Sequence, residues 1–267
     1  VETKRKFQKQ VVSSETFLEI LEMGKITPNF WCSKEYLDLL DIDIVIDNNI
    51  IECYDDDILI FPPININTFE IDLSNNPRRI WSDFDKKDIQ GYKREFLDFE
   101  YFYNPSRFQN MAGGGWACFR KNSRKWPREN KFIYRPLNEN DELLLTDLLI
   151  NWLSFNKNRI NIQDEEAILK CCFEGENRKG VFLLPEELVA INVWDENYQF
   201  INFRFNFSDP KQPFLNEFSR LLFYLDEEII GKGKIVNDGG IIDNEGLKFY
   251  KDKMNPLYVR KIYSWRR

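Results

Sequence analysis

Asn237-Asp238 ends a short apolar run, KIV, and is followed at once by Gly239-Gly240. A carboxylate placed there can orient or deprotonate an acceptor amine, and the neighbouring amide can hold a carbonyl. The same four residues also make good turn chemistry and nothing more. Tyr250-Lys251 follows Gly246 on a short helical stretch. Tyr250 there is either a general acid for a leaving group or a packed aromatic, and Lys251 is a candidate for substrate binding. Arg204 and Asn206 alternate with Phe203, Phe205 and Phe207. Period two places Asn202, Arg204 and Asn206 on one strand face and the phenylalanines on the other. That polar face either meets solvent or walls a cleft in which Arg204 binds a phosphate or carboxylate.

What is missing narrows the chemistry. The 267 residues include no histidine. Ser-His-Asp triads, Cys-His dyads, His bases and His-containing metal sites are excluded. Catalysis has to use carboxylates, Lys, Tyr, Cys, a substrate amine or backbone dipoles. The five cysteines (Cys32, Cys53, Cys118, Cys171, Cys172) show no CxxC or zinc spacing. They read as buried free thiols of a reducing compartment, and no metal is expected.

The net charge of −7 at first argues against anionic partners. It hides an asymmetry. From Phe119 to Arg135 seven basic residues face one acid, Glu129, and from Leu247 to Arg267 seven face Asp252. Arg120, Lys121, Arg124, Lys125 and Arg128, interleaved with Trp126, therefore read either as a solvated face or as a track for phosphate, DNA or tRNA. Gly113-Gly114-Gly115 before them is a weak phosphate-cradle signal and a better loop tip.

These residues need elements to hold them. Hydrophobics at 43% and aromatics at 15% fit a globular chain. The spacing predicts a helix after Ser14 as N-cap, ending at Gly24, and a second at 33–40. A three-strand meander follows, with turns at Asp47-Asn48-Asn49 and Asp55-Asp56-Asp57. A strand at 98–103 precedes a short helix at 106–111. An amphipathic helix covers 140–157, with Leu143, Leu144, Leu148, Trp152 and Phe155 on its buried face. Another covers 163–173. Strands follow at 180–184, 188–195 and 199–207, then a helix at 213–228, a strand ending at the 237–240 turn, a helix at 245–253 and a strand at 257–265. The order of the second half, β-α-α-β-β-β-α-β-α-β, is that of the N-acetyltransferase (GNAT) fold.

Four stretches carry a closer resemblance. DFEYFY (98–103) with NPSRFQNMAG resembles the lead-in of the C-terminal domain of phosphatidylglycerol lysyltransferases and their soluble relatives. Arg120-Lys121-Asn122 followed by Trp126 resembles that family's basic segment. Residues 180–207 resemble its central strands, and 236–265 resemble its "Val-Asn, acidic, Gly … Gly-Leu … Lys … Pro" ending. The resemblance covers nearly the whole chain. It implies an α+β protein of tandem GNAT-like halves, 1–97 and 98–267, each a mixed, mainly antiparallel sheet flanked by helices. The second half would carry the active site, with Asp238, Asn237 and Tyr250 in the chemistry and Arg204, Asn206 and Lys251 on the substrate. It implies a transferase of acyl or aminoacyl groups related to the Fem enzymes, with aminoacyl-tRNA, acyl-CoA or an amino acid as donor and no tightly bound cofactor. Gly113–Gly115 is richer in glycine than the family pattern, and Arg120-Lys121 reverses its usual Lys-Arg. KQPF (211–214) stands where CoA-dependent enzymes carry a Gly-rich pyrophosphate loop, which counts against acyl-CoA.

Two further readings accompany the transferase. One is a phage-type enzyme attaching an amino acid to a modified base in DNA or RNA, suggested by Asn/Ile-rich usage and the basic asymmetry. The other is a non-catalytic nucleic-acid-binding module on a GNAT scaffold. No apolar run suits a membrane span and the first residues show no signal peptide, so a cytoplasmic location without membrane contact is expected. The opening Val1 in place of Met fits a segment of something longer.

Overall fold

The computed structural model describes residues 9–75, 77–83, 89–157, 162–241 and 244–267. They form two compact units. One comprises the described residues up to Glu100 with Asn197–Gln199 and Arg260–Arg267; the other comprises Tyr101–Glu196 and Phe200–Val259. The strands of each pair mainly antiparallel, and helices pack on them.

The first unit opens with β1 (Gln10–Val11) and two helices, α1 (Ser14–Met23) and α2 (Lys34–Leu39). The cap of α1 is Ser13, one residue before the expected Ser14. Its hydroxyl accepts from the Thr16 amide, and Ser14 instead donates to Asp38. The meander is present as β2 (Asp43–Asp47), β3 (Ile50–Asp55) and β4 (Ile58–Leu59). Asn48 and Asn49 both take positive φ (52° and 65°), the two-residue turn whose twist matches a hairpin. Short strands β5 (Ile64–Asn65) and β6 (Arg79–Ser82) are added, and β7 (Lys93–Tyr103) leads into the second unit. Phe17, Leu21, Leu37, Ile44, Ile51 and Phe61 pack as its core.

The second unit runs through α3 (Ser106–Asn110), α4 (Ala117–Ser123), α5 (Trp126–Glu129), β8 (Phe132–Pro136), α6 (Glu142–Asn156) and α7 (Ile162–Glu174). Then come β9 (Asn177–Leu183), β10 (Glu187–Glu196), β11 (Phe200–Ser208), α8 (Leu215–Leu225), α9 (Glu227–Gly231), β12 (Ile235–Asn237) and α10 (Glu245–Lys253); the last strand, β13 (Tyr258–Arg266), belongs to the first unit from Arg260 onward. The strand order is β7-β12-β11-β10-β9-β8, with β11 and β12 parallel. Helix α8 lies on β10 and β11 and is flanked by α3 and α4.

Two expectations change here. The helix at 140–157 buries Leu145, Leu148 and Leu149, while Leu143 and Phe155 are exposed. Residues 145, 148, 149 and 152 repeat at helical spacing as well as the expected set does. With leucines around most of the helix, periodicity cannot choose the face. The helix at 213–228 is two helices, broken at Asp226, whose side chain caps α9 through the Glu228 amide. Among the cysteines, Cys118 on α4 alone is exposed, against the expectation that all five are buried.

Candidate functional site

Two irregularities in the sheet build the site. The β10–β11 register shifts between Val193 and Trp194: Val193 faces Phe205 and Trp194 faces Phe203, so Arg204 is an extra residue in β11. The bulge breaks the expected alternation. Phe203 stacks on Phe223 of α8 at 3.9 Å and Asn206 bonds to Ser219 of α8, so both face that helix. Asn202 and Arg204 turn instead to Asp195: Asn202 Nδ2 donates to Oδ1 at 2.8 Å and Arg204 Nη2 donates to Oδ1 at 3.1 Å. The second irregularity is the short parallel pairing of β11 with β12. It spans Phe200↔Ile235 to Asn202↔Asn237 and stops, although β11 continues to Ser208. Beyond Asn237 the chain bends away at Gly239 (φ 60°), a conformation glycine adopts without strain.

Asp238 lies in that bend, 4% exposed. Its Oδ2 accepts from Arg220 Nη1 and from the Tyr224 hydroxyl (2.8 Å), and its Oδ1 is 3.2 Å from Lys251 Nζ. Lys251, also buried, donates to the carbonyls of Asp238, Gly239 (3.2 Å) and Gly240 (2.7 Å). The Lys251 carbonyl accepts from the Tyr103 hydroxyl at 2.8 Å. Burial alone would push the Asp238 carboxyl up; the cations Arg220 and Lys251 overcome this and hold it below its ordinary value. It is thus a weak base with its lone pairs occupied. Burial pushes the hydroxyls of Tyr103 and Tyr224 well above the ordinary tyrosine range.

Beside this network a cavity of about 190 Å³ opens between α4, α8 and α10, lined by Cys118, Phe119, Asn122, Glu217, Phe249, Tyr250 and Lys253. Tyr250 links the two. Its hydroxyl is shielded from solvent and has no hydrogen-bond partner among the described residues. The Arg220 guanidinium carbon sits 5.5 Å from its ring centroid. Burial pushes the Tyr250 hydroxyl up, with Glu217 and Asp238 adding and Arg220 opposing, so the group is a protonated donor at neutral pH.

No family model and no curated protein matches the chain in sequence. Solved structures match its fold. A conserved protein of unknown function from Bacteroides thetaiotaomicron aligns over 97% of this chain and 99% of its own, with TM-score 0.73 at 12% identity. The C-terminal domain of a proposed lysylphosphatidylglycerol synthetase from Agrobacterium fabrum aligns over 95% and 92%, with TM-score 0.63 at 11% identity. A tandem GNAT protein from the clavulanic acid biosynthesis pathway aligns over 97% and 98%, with TM-score 0.54 at 8% identity. The chain has a tandem GNAT fold. At these identities the fold is what is shared.

On this GNAT scaffold the expected site residues separate. Asp238, Lys251 and Tyr250 gather around Arg220. Asn237 is buried beside them, and its Oδ1 accepts from the Gly239 amide at 3.0 Å, a local turn bond; its Nδ2 has no partner among the described residues. Arg204 and Asn206 do not line the cavity. Arg204 is tied to Asp195, and Asn206 sits in an amide chain, accepting from Asn216 (2.6 Å) and donating to Asn192 (2.7 Å). The basic segment is partly spent on the fold. Trp126 is buried against Phe218, with Nε1 donating to Gln212 at 3.1 Å; Arg120 donates to the Met111 and Gly113 carbonyls; Lys125 lies 3.7 Å over the Phe214 ring. Lys121, Arg124 and Arg128 remain exposed. Among the described residues no helix is long and apolar enough to cross a membrane.

Arg220, Tyr224 and Glu217 are site residues that the sequence pattern did not single out. The signal was there: they stand at i+3, i+7 and i of a helix, LNEFSRLLFYL, that is otherwise apolar except for Asn216 and Ser219.

Proposed function

We propose that this GNAT-fold protein is a transferase that moves an acyl group, specifically an aminoacyl group, to an amine or hydroxyl acceptor in the cavity between α4, α8 and α10. The carrying observation is the Tyr250 hydroxyl: shielded, unpartnered and kept protonated by burial at the wall of that cavity. Such a group is a ready proton donor to a leaving atom.

The acceptor nitrogen or oxygen forms a bond to the donor carbonyl carbon. The bond from that carbon to the leaving oxygen of an ester, or sulfur of a thioester, then breaks. The leaving atom takes the Tyr250 proton, and the acceptor's own proton restores the tyrosine. Arg220, 5.5 Å from the Tyr250 ring, stabilises the transient tyrosinate. In this reading Asp238 is a positioning residue. It fixes Arg220 and Lys251, and Lys251 in turn gathers the carbonyls of 238–240 into one loop conformation. Positioning and proton supply are the whole demand, which a histidine-free chain meets.

The test is transfer from aminoacyl-tRNAs, acyl-CoAs and activated amino acids to amines by wild type and Tyr250→Phe. The expected result is a fall of about 10²–10⁴-fold in rate for the variant. Unchanged turnover by Tyr250→Phe would remove Tyr250 from the mechanism.

A further inference from the structure

The acid lining the cavity between α4, α8 and α10 is Glu217, and most of its bonding capacity is unused. Asn122 Nδ2 donates to its Oε1 at 3.3 Å, and among the described residues the carboxylate has no ion pair. A carboxylate accepts up to about four hydrogen bonds, so most of its positions are open. Three aromatic rings share the cavity: Phe119 and Tyr250, edge to face at 6.2 Å, and Phe249, which is 62% exposed. A carboxylate among aromatic rings suits an ammonium group, whose charge pairs with the first and is attracted to the faces of the second. A hydroxyl would bring one donor and no charge. The lining cation is Lys253, exposed, with its Nζ 4.9 Å from the Phe249 ring centroid. Its charge opposes a second positive group in a space of about 190 Å³.

We infer that the acceptor is a primary alkylamine carrying a single positive charge, its ammonium on Glu217 and its hydrocarbon chain against Phe119 and Phe249. The ammonium passes one proton to Glu217, which releases it to solvent. The freed nitrogen bonds to the donor carbonyl carbon, a second of its protons restores Tyr250, and the product is a secondary amide. Glu217 thus selects an amine over a hydroxyl, and Lys253 disfavours a diamine. This rests on the transferase reading only for the amine's fate; the binding itself does not depend on it.

The test is calorimetric titration, without donor, of pentylamine, pentan-1-ol, 1,5-diaminopentane and N,N,N-trimethylpentylammonium. Pentylamine should bind at least about tenfold more tightly than pentan-1-ol, because its hydrogen bond to Glu217 is charge-assisted. The diamine should bind about two- to fivefold more weakly than pentylamine. Glu217→Gln should erase the preference for pentylamine over pentan-1-ol. Lys253→Met should keep that preference and remove the penalty on the diamine. If pentan-1-ol binds as well as pentylamine, if Glu217→Gln leaves the preference intact, or if none of the four binds, the amine assignment is overturned. Tighter binding of the trimethylated cation would also overturn it, since that nitrogen has no lone pair to acylate. Transfer to hydroxyl acceptors without any preference for pentylamine sinks this assignment alone. Selective pentylamine binding by a chain that transfers nothing sinks the transfer reading alone.

Discussion

The second unit holds two buried carboxylate–arginine pairs within a few residues of the same strand, and they do different work. Asp195 and Arg204 close the bulge in β11. The carboxylate takes Arg204 through both Nε and Nη2, and Asn202 besides. Asp238 and Arg220 lie on the α8 side. There the arginine is held by one nitrogen, another is left unpaired, and Tyr250 and a cavity stand beside it. A buried ion pair is costly to desolvate and is weak evidence of stabilisation by itself. The difference lies in what remains unspent. The first pair is consumed by the architecture, and the second leaves donors for something else.

That contrast can be broken by removing each carboxylate. Asp195→Asn and Asp238→Asn each strand a buried guanidinium, and both should lose about 3–5 kcal/mol in urea unfolding. Transfer per folded molecule should survive in the first and fall in the second. Loss of transfer in folded Asp195→Asn would make the two pairs equivalent.

Tyr224→Phe removes one bond to the Asp238 carboxylate and should cost about 1.5–3 kcal/mol in the same assay. Acid should then sharpen the comparison further. The folded Asp238 carboxyl is held below its ordinary value by Arg220 and Lys251. Its contribution is therefore complete above an unfolded carboxyl value of about 3.9 and is lost as pH falls through the lower folded value. The stability gap between wild type and Asp238→Asn should accordingly be constant from neutral pH to about pH 5 and narrow below pH 4. A gap that widens on acidification would reverse the sign assigned here. The smallest effect belongs to Tyr250→Phe. Its hydroxyl bonds to nothing described, so the melting curve should move by less than about 0.5 kcal/mol, although transfer collapses. A large stability loss would mean the hydroxyl is structural.

Local patterns carried much of the fold. The two-asparagine hairpin, the capped first helices, the three long strands of the second unit and the α8 and α10 helices were readable because turn chemistry and apolar period act within a few residues. The sequence also placed Asp238, Tyr250 and Lys251 in one neighbourhood, through short separation and a family resemblance. It missed the buried face of α6, where apolar residues on every side make periodicity uninformative. It also missed the break at Asp226, where one capping side chain outweighs a continuous helical pattern.

By itself, the sequence determined what chemistry is excluded, the order of elements and the residue types available near the 237–251 segment. Those follow from composition and short-range geometry. Tertiary structure alone decided which polar groups are spent. One extra residue in β11 turned Arg204 to Asp195 and left Asn206 facing α8, against a strict period of two. The fold of α8 over the sheet brought Arg220 to Asp238 across eighteen residues. Pairing, burial and unsatisfied donors are properties of long-range packing, and no local pattern records them.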